Sequence, residues 1–136
     1  IVGLGKACEI AKRDLGKNIS HMRAMRDRLY NGLKEKCGEI KVNGHPEERL
    51  PNTLSVSFLG LDANTLISEI KDYVAVSAGA ACHSGEIKIS HVLKAMNVPV
   101  EWARGTIRFS TGRMTTGMEI DKAIDTVSQA VIKLKK

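Results

Sequence analysis

The first 36 residues carry one apolar stripe at helical spacing, and this feature limits most strongly what the chain can fold into. Apolar residues recur every three, four or seven positions from Leu4 to Leu33, as on one face of an α-helix. Gly38 is a suitable terminator because glycine accepts the left-handed conformation that ends helices. A straight helix of this length would be roughly 50 Å long, more than a compact domain of this size spans. We therefore expect the helix to kink, or part of it to lean on a portion of a longer protein.

The remainder alternates between short strand and helix patterns. Strands are predicted at 40–42, 54–58, 73–77 and 106–110, where apolar and polar or β-branched residues follow one another. Further helices are predicted after Asp62, around His91 and after Thr116, which forms a capping-box pattern with Glu119. Several connections are too long for tight hairpins. Residues 1–136 are therefore predicted to form one α/β two-layer small domain, with helices packed on a small, mainly antiparallel or mixed sheet.

Composition excludes several classes of function. Lysine and arginine number 21 against 15 acidic residues, a net charge of +6, but the two signs are interleaved and aromatic residues make up only 4%. This pattern favours a solvated surface over nucleic-acid binding. No apolar run approaches the roughly 20 residues that span a bilayer, so no membrane segment is expected.

The cysteine content points to a reducing compartment. The three cysteines form neither an even set nor a C-x-x-C pair, so neither a disulfide framework nor a metal site is expected. The cytoplasm is the simplest setting, with an organelle as the alternative for a longer precursor.

Cys82 is the candidate nucleophile. It lies among glycine, alanine and serine, whose small side chains leave a thiol accessible, as a reactive thiolate requires. A buried structural cysteine is the alternative, and local composition alone does not choose between them. His83 is adjacent, but a surface histidine is the favoured interpretation. Cys8 and Cys37 lie on the first helix and are interpreted as packing residues.

Arg108 is the candidate anion-binding residue. It lies between Ile107 and Phe109 in a predicted strand, so its backbone should be held firmly and its guanidinium presented to one side of the sheet. That placement suits a bidentate grip on a carboxylate. An exposed strand arginine without a ligand is the alternative.

Four segments together resemble the cysteine desulfurase and selenocysteine lyase family. They are 3–9 (GLGKACE), 49–54 (RLPNTL), 77–84 (SAGAACHS) and 107–116 (IRFSTGRMTT). The resemblance covers essentially the whole chain. It implies the class V aminotransferase fold, a homodimer and a pyridoxal phosphate cofactor held mainly by a large domain. It also implies that Cys82 takes sulfur from cofactor-bound cysteine, leaving alanine and a persulfide, and that Arg108 holds the substrate carboxylate.

One departure from the family is expected to matter. The family's cofactor lysine lies in an upstream motif that contains serine and histidine, and no lysine here has that setting. The chain is therefore predicted to be the C-terminal small domain alone, without a cofactor site and inactive in isolation. The substrate of the full-length enzyme would be L-cysteine or L-selenocysteine, with desulfurase favoured, and a sulfur-acceptor or scaffold protein would be its partner. A stand-alone sulfur carrier and a non-catalytic interaction domain remain alternative hypotheses.

Overall fold

The computed structural model describes residues 1–78 and 89–136. Alternating patterns in the sequence become short strands, and the longer stripes of apolar residues become helices. The elements in chain order are α1 (Val2–Cys37), β1 (Ile40–Val42), β2 (Thr53–Phe58), α2 (Ala63–Ile70), β3 (Ser77–Ala78), α3 (His91–Ala95), α4 (Val100–Ala103), β4 (Thr106–Ser110) and α5 (Gly117–Leu134).

The strands of the described chain form one antiparallel sheet with the order β1-β2-β4-β3. Val56 of β2 lies opposite Ile107 of β4, and Ser55 lies opposite Arg108. Successive side chains on a strand point to opposite faces, so this register places apolar residues on one face and polar residues on the other.

Helices α1, α2 and α5 cover the apolar face and enclose the core with it. The residues of this core lie on the apolar stripe that the sequence shows for each element. Removing their side chains from water is the main driving force for folding. The largest fully buried side chains include Leu33, Phe58, Leu66, Ile107 and Val127. The predicted α/β two-layer domain with helices packed on a small sheet is confirmed, and the described sheet is entirely antiparallel.

Helix α1 is one continuous helix of 36 residues that ends at Cys37. Gly38 caps it, as predicted, with a positive φ of +72°, although its ψ of −121° lies outside the left-handed helical region. Its buried residues begin only at Arg26, because the loop before α5 and α5 itself pack against its C-terminal half. His21 Nε2, for example, lies 2.8 Å from the carbonyl oxygen of Thr115. Cys8 is exposed, so its interpretation as a packing residue was wrong: no described element reaches that part of the helix.

Two local predictions differ from the structure. The strand predicted at 73–77 begins only at Ser77, because the backbone amides of Tyr73 and Val74 both donate to the carbonyl of Ile70 and close the end of α2 as a turn. The short helix α4 was not predicted, since Pro99 and a single turn give too little periodicity.

The capping box of Thr116 and Glu119 is present, and its hydrogen bonds lower the pKa of Glu119. None of the described helices is both long and apolar enough to cross a membrane.

The start of β4 depends on a glycine. A Cβ added to Gly105 would lie 2.1 Å from the carbonyl oxygen of Phe58, while the amide of Phe58 donates to the carbonyl of Gly105 at 3.1 Å. Any side chain here therefore pushes β2 and β4 apart at one end.

We expect Gly105→Ala to lower the free energy of unfolding by about 1–3 kcal/mol, the usual cost of overpacking against atoms that cannot retreat. Gly112→Ala is the matched control, because its nearest neighbour would be Thr115 Oγ1 at 3.8 Å, and its effect should stay within about 0.5 kcal/mol. Urea denaturation of the 136-residue chain measures both. Equal stability of the two variants would contradict the proposed close approach.

Candidate active site

The polar face of the sheet carries the candidate site. Register places Ser55 of β2 opposite Arg108 of β4, and Arg108 opposite Ser77 of β3. Asn43, just beyond β1, extends the same row because its amide donates to the carbonyl of Ser55 at 2.9 Å. Asn43, Ser55, Arg108 and Ser77 thus form one cross-strand row.

This row borders a cleft of about 290 Å³ between the sheet and α3. Backbone and polar side chains of the sheet form one wall, and apolar side chains of α3 form the other. The lining residues used below are Asn43, Ser55, Thr106, Arg108, Leu93 and Met96. Such a cavity, mostly apolar with a few convergent polar groups, is typical of small-ligand sites.

Arg108 is held at its backbone and open at its guanidinium. Its neighbours Ile107 and Phe109 are buried in the core, whereas the Arg108 side chain is exposed and lines the cleft. Within residues 1–78 and 89–136, no hydrogen bond or ion pair to this side chain is found. A cation beside a cleft, without a partner among the described residues, can take an anionic ligand such as a carboxylate.

A hydrogen-bonded network lies next to Arg108 on the same face. Asn43 Nδ2 donates to Ser57 Oγ at 2.7 Å, and Ser57 Oγ lies 2.7 Å from Thr106 Oγ1. Thr106 Oγ1 donates to the carbonyl of Trp102 at 3.3 Å. Asn43 Oδ1 is buried and has no hydrogen-bond partner in the described chain. Leaving a buried acceptor without a hydrogen bond typically lowers the free energy of unfolding by about 1–3 kcal/mol. Sequence reasoning missed this network, since only the strand register brings its members together.

Cys82 and His83, the other residues singled out from the sequence, lie outside the described residues. The chain on either side of that segment borders the cleft, because both Ala78 and Ser90 line it. The structure therefore brings Arg108 together with the two ends of the cysteine-containing segment.

A second cationic cluster lies away from this cleft. Arg26 is buried, donates to the carbonyl of Leu50 at 3.2 Å and pairs with Asp27 at 2.7 Å. Arg49 Nε and Nη1 are buried without a partner in the described chain. Burial, and then the nearby Arg26, lower the pKa of Arg49. Arg49 belongs to one of the recognised motifs, but nothing in the motif indicated that it lies near an arginine of α1.

The described lysines do not suit a Schiff-base cofactor. Such a lysine needs a desolvated setting that keeps its amine neutral and nucleophilic, and none of the described lysines is buried. Lys36 lines a shallow cavity, but its hydrogen bond to Asp125 raises its pKa, the opposite of what is needed. The described residues thus provide no lysine site for pyridoxal phosphate. They also contain no group of three or more histidine, cysteine or acidic residues that could hold a metal ion.

Comparison with known proteins decides the family. The family model described as aminotransferase class-V matches residues 1–123. The chain belongs to the class-V aminotransferase family. This confirms the resemblance inferred from the motifs. Of those motifs, residues 107–116 form most of β4 and the turn that leads to α5.

Individual relatives show how much of a class-V protein the chain matches. The chain is 45% identical over 135 residues to cysteine desulfurase IscS of Histophilus somni (strain 129Pt), and 43% identical over 136 residues to that of Edwardsiella ictaluri (strain 93-146). These matches cover 99% and 100% of this chain but 33% of each relative. A solved NifS-like protein matches with a TM-score of 0.83 and 33% identity, covering 98% of this chain and 33% of that one. The chain thus spans about a third of the length of the class-V relatives it matches.

The two cysteines that the structure describes differ in accessibility. Cys8 is exposed and Cys37 is buried, and burial raises the pKa of the Cys37 thiol, an effect that Lys135 partly opposes. Neither lines the cleft.

We expect iodoacetamide to modify Cys8 of the folded 136-residue chain at pH 8 much faster than Cys37. A raised pKa leaves less thiolate on Cys37 at any given pH, and burial blocks access to it. Peptide mass mapping with and without denaturant measures both rates. Equal labelling of Cys37 in the folded and denatured chain would show that the α1 terminus is not packed as described.

Proposed function

We propose that residues 1–136 are the C-terminal small domain of a pyridoxal-phosphate-dependent cysteine desulfurase. In this proposal Arg108 binds the substrate carboxylate and Cys82 accepts the sulfur. The observation that carries it is the open guanidinium of Arg108 in a cleft bordered by both ends of the Cys82 segment. The identity of about 45% to proteins named cysteine desulfurase supports the same reaction.

Arg108 supplies binding and orientation. Its cation faces the cleft without a competing carboxylate among the described residues that line it, so an α-carboxylate entering the cleft gains a charge-assisted bond that nothing in that lining already satisfies. A planar guanidinium also fixes the angle of the carboxylate through paired hydrogen bonds. The cysteine substrate is thereby held with its side chain in one direction.

Cys82 supplies the nucleophile. It lies four positions after Ala78, and extended chain spans at most about 3.6 Å per residue, so its backbone stays within roughly 14 Å of the cleft wall. Its thiolate attacks the substrate sulfur, forming a sulfur–sulfur bond and breaking the carbon–sulfur bond. The electron pair left on carbon takes up a proton and gives alanine, while Cys82 retains the sulfur as a persulfide. Pyridoxal phosphate, held by residues other than those described, would make the carbon–sulfur bond labile.

The persulfide must then leave the enzyme. We propose that a sulfur-acceptor protein, in iron–sulfur cluster assembly, receives it from Cys82, and that the full-length enzyme is a cytoplasmic homodimer. L-Selenocysteine is the second candidate substrate. The names of the relatives favour cysteine.

We expect Cys82→Ser in the full-length enzyme to abolish persulfide formation during turnover of L-cysteine, because a hydroxyl cannot accept sulfur as a thiolate does. Intact-protein mass spectrometry detects the added sulfur, and the absorbance spectrum reports retention of the cofactor. Cys8→Ser is the matched control, since it removes another thiol and should leave the persulfide unchanged. Persulfide on the Cys82→Ser protein would refute the assignment.

We expect Arg108→Ala in the full-length enzyme to lower kcat/KM for L-cysteine by at least about thirtyfold. A carboxylate held in the cleft by Arg108 would be removed from water together with the guanidinium. Removing one partner of such a buried charge pair costs roughly 2–5 kcal/mol, and each 1.4 kcal/mol is about tenfold. Arg108→Lys keeps the charge but loses the planar fork, so its activity should be intermediate at best.

Two controls separate binding from folding. Cysteamine lacks the carboxylate, so its poor reaction should hardly respond to Arg108→Ala. Arg104→Ala removes an exposed arginine that does not line the cleft and should leave kcat/KM for L-cysteine within about twofold. If Arg108→Ala slowed cysteine and cysteamine equally, Arg108 would be structural.

A further inference from the structure

Two serine hydroxyls face the amide nitrogen of Asn43. Asn43 Nδ2 donates to Ser57 Oγ at 2.7 Å and to Ser55 Oγ at 3.4 Å. Ser57 Oγ in turn lies 2.7 Å from Thr106 Oγ1, which donates to the carbonyl of Trp102 at 3.3 Å. In this arrangement the NH₂ group of Asn43 is directed toward the network.

This arrangement leaves Asn43 Oδ1 as an acceptor that the network does not use. The residue is only 9% exposed, and the oxygen has no partner in the described chain. A buried acceptor without a partner costs free energy, so a donor that reached it would recover that cost.

The complementary group lies in the same cross-strand row. Arg108 is the one cation among the described residues that line the cleft, and within the described chain its guanidinium has no partner. Asn43 and Arg108 are separated only by Ser55, which corresponds to two strand spacings, or about 10 Å between backbones. An arginine and an asparagine side chain are together long enough to meet across that gap.

We propose that Asn43 is a positioning residue for Arg108. In the substrate complex the guanidinium turns to donate a hydrogen bond to Asn43 Oδ1, which it does not contact in this structure, and its remaining N–H groups point into the cleft toward the carboxylate. The proposal rests on the proposed function, in which Arg108 binds the substrate carboxylate. Asn43 acts through Arg108 and does not itself touch the substrate.

A double-mutant cycle in the full-length enzyme tests the proposal. Asn43→Ala should raise the KM for L-cysteine about tenfold, as expected for losing a hydrogen bond to a charged group, while kcat changes less than threefold. The dissociation constant of L-alanine, which carries the same carboxylate, should rise by a similar factor. In the Arg108→Ala background the same substitution should change either constant less than twofold, because residues that act through one another are not additive.

Two further variants keep the result interpretable. Lys41→Ala removes a side chain from the same face of β1 that does not line the cleft, and it should leave both constants within twofold. Asn43→Asp keeps the side-chain size if Asn43→Ala fails to fold. Its carboxylate would pair with Arg108 in competition with the substrate, so it should raise both constants, and only when Arg108 is present.

The outcomes separate the two proposals. A normal KM in Asn43→Ala together with a raised KM in Arg108→Ala would overturn the positioning role and leave the proposed function intact. An equal loss from Asn43→Ala with and without Arg108 would make Asn43 a structural residue. If Arg108→Ala itself leaves the KM and the L-alanine affinity unchanged, the proposed function fails, and the positioning role fails with it.

Discussion

The register between β2 and β4 is the constraint on which both the core and the candidate site depend. Val56 faces Ile107 and Ser55 faces Arg108. Because strand side chains alternate with a period of two, a shift of one residue would move the Arg108 cation into the core and Ile107 into the cleft. Burying an unpaired charge is far more costly than exposing one apolar side chain. The free-energy difference that favours this register therefore also keeps Arg108 at the cleft.

The polar face carries a buried hydrogen-bonded network. Ser57 and Thr106 are almost fully buried, so their hydroxyls need partners, which they find in each other, in Asn43 Nδ2 and in the carbonyl of Trp102. Asn43 Oδ1 and the Arg108 cation, in the same cross-strand row, have no partner in the described chain. A hydrogen-bond acceptor and a cation that lack partners beside a cleft can each gain a hydrogen bond when a ligand binds, and that gain contributes to the binding free energy.

Most of the fold could be predicted from periodicity, and the exceptions have physical causes. The stripes of α1 and α5, the caps at Asp62 and Thr116 and the alternation of β4 are local patterns, and the structure contains them all. Residues 73–76 were misassigned, because their strand propensity lost to a turn that satisfies the carbonyl of Ile70. Cys8 was misassigned because an apolar stripe shows which face of a helix is suited to burial, and cannot show whether anything covers it.

The sequence by itself predicted the class of fold and the family, both of which are confirmed, and it pointed to Cys82 and Arg108 as the residues for the chemistry, which stay predictions. It could do so because caps, periodicity and motifs are properties of neighbours along the chain. Only the tertiary structure decided what surrounds Arg108: the cleft against α3, the two ends of the Cys82 segment and the row that includes Asn43. Asn43 and Arg108 are 65 positions apart in sequence, and only antiparallel pairing of β1, β2 and β4 brings them into one row. Cross-strand proximity depends on register, which is set by burial of the whole apolar face and by no local signal.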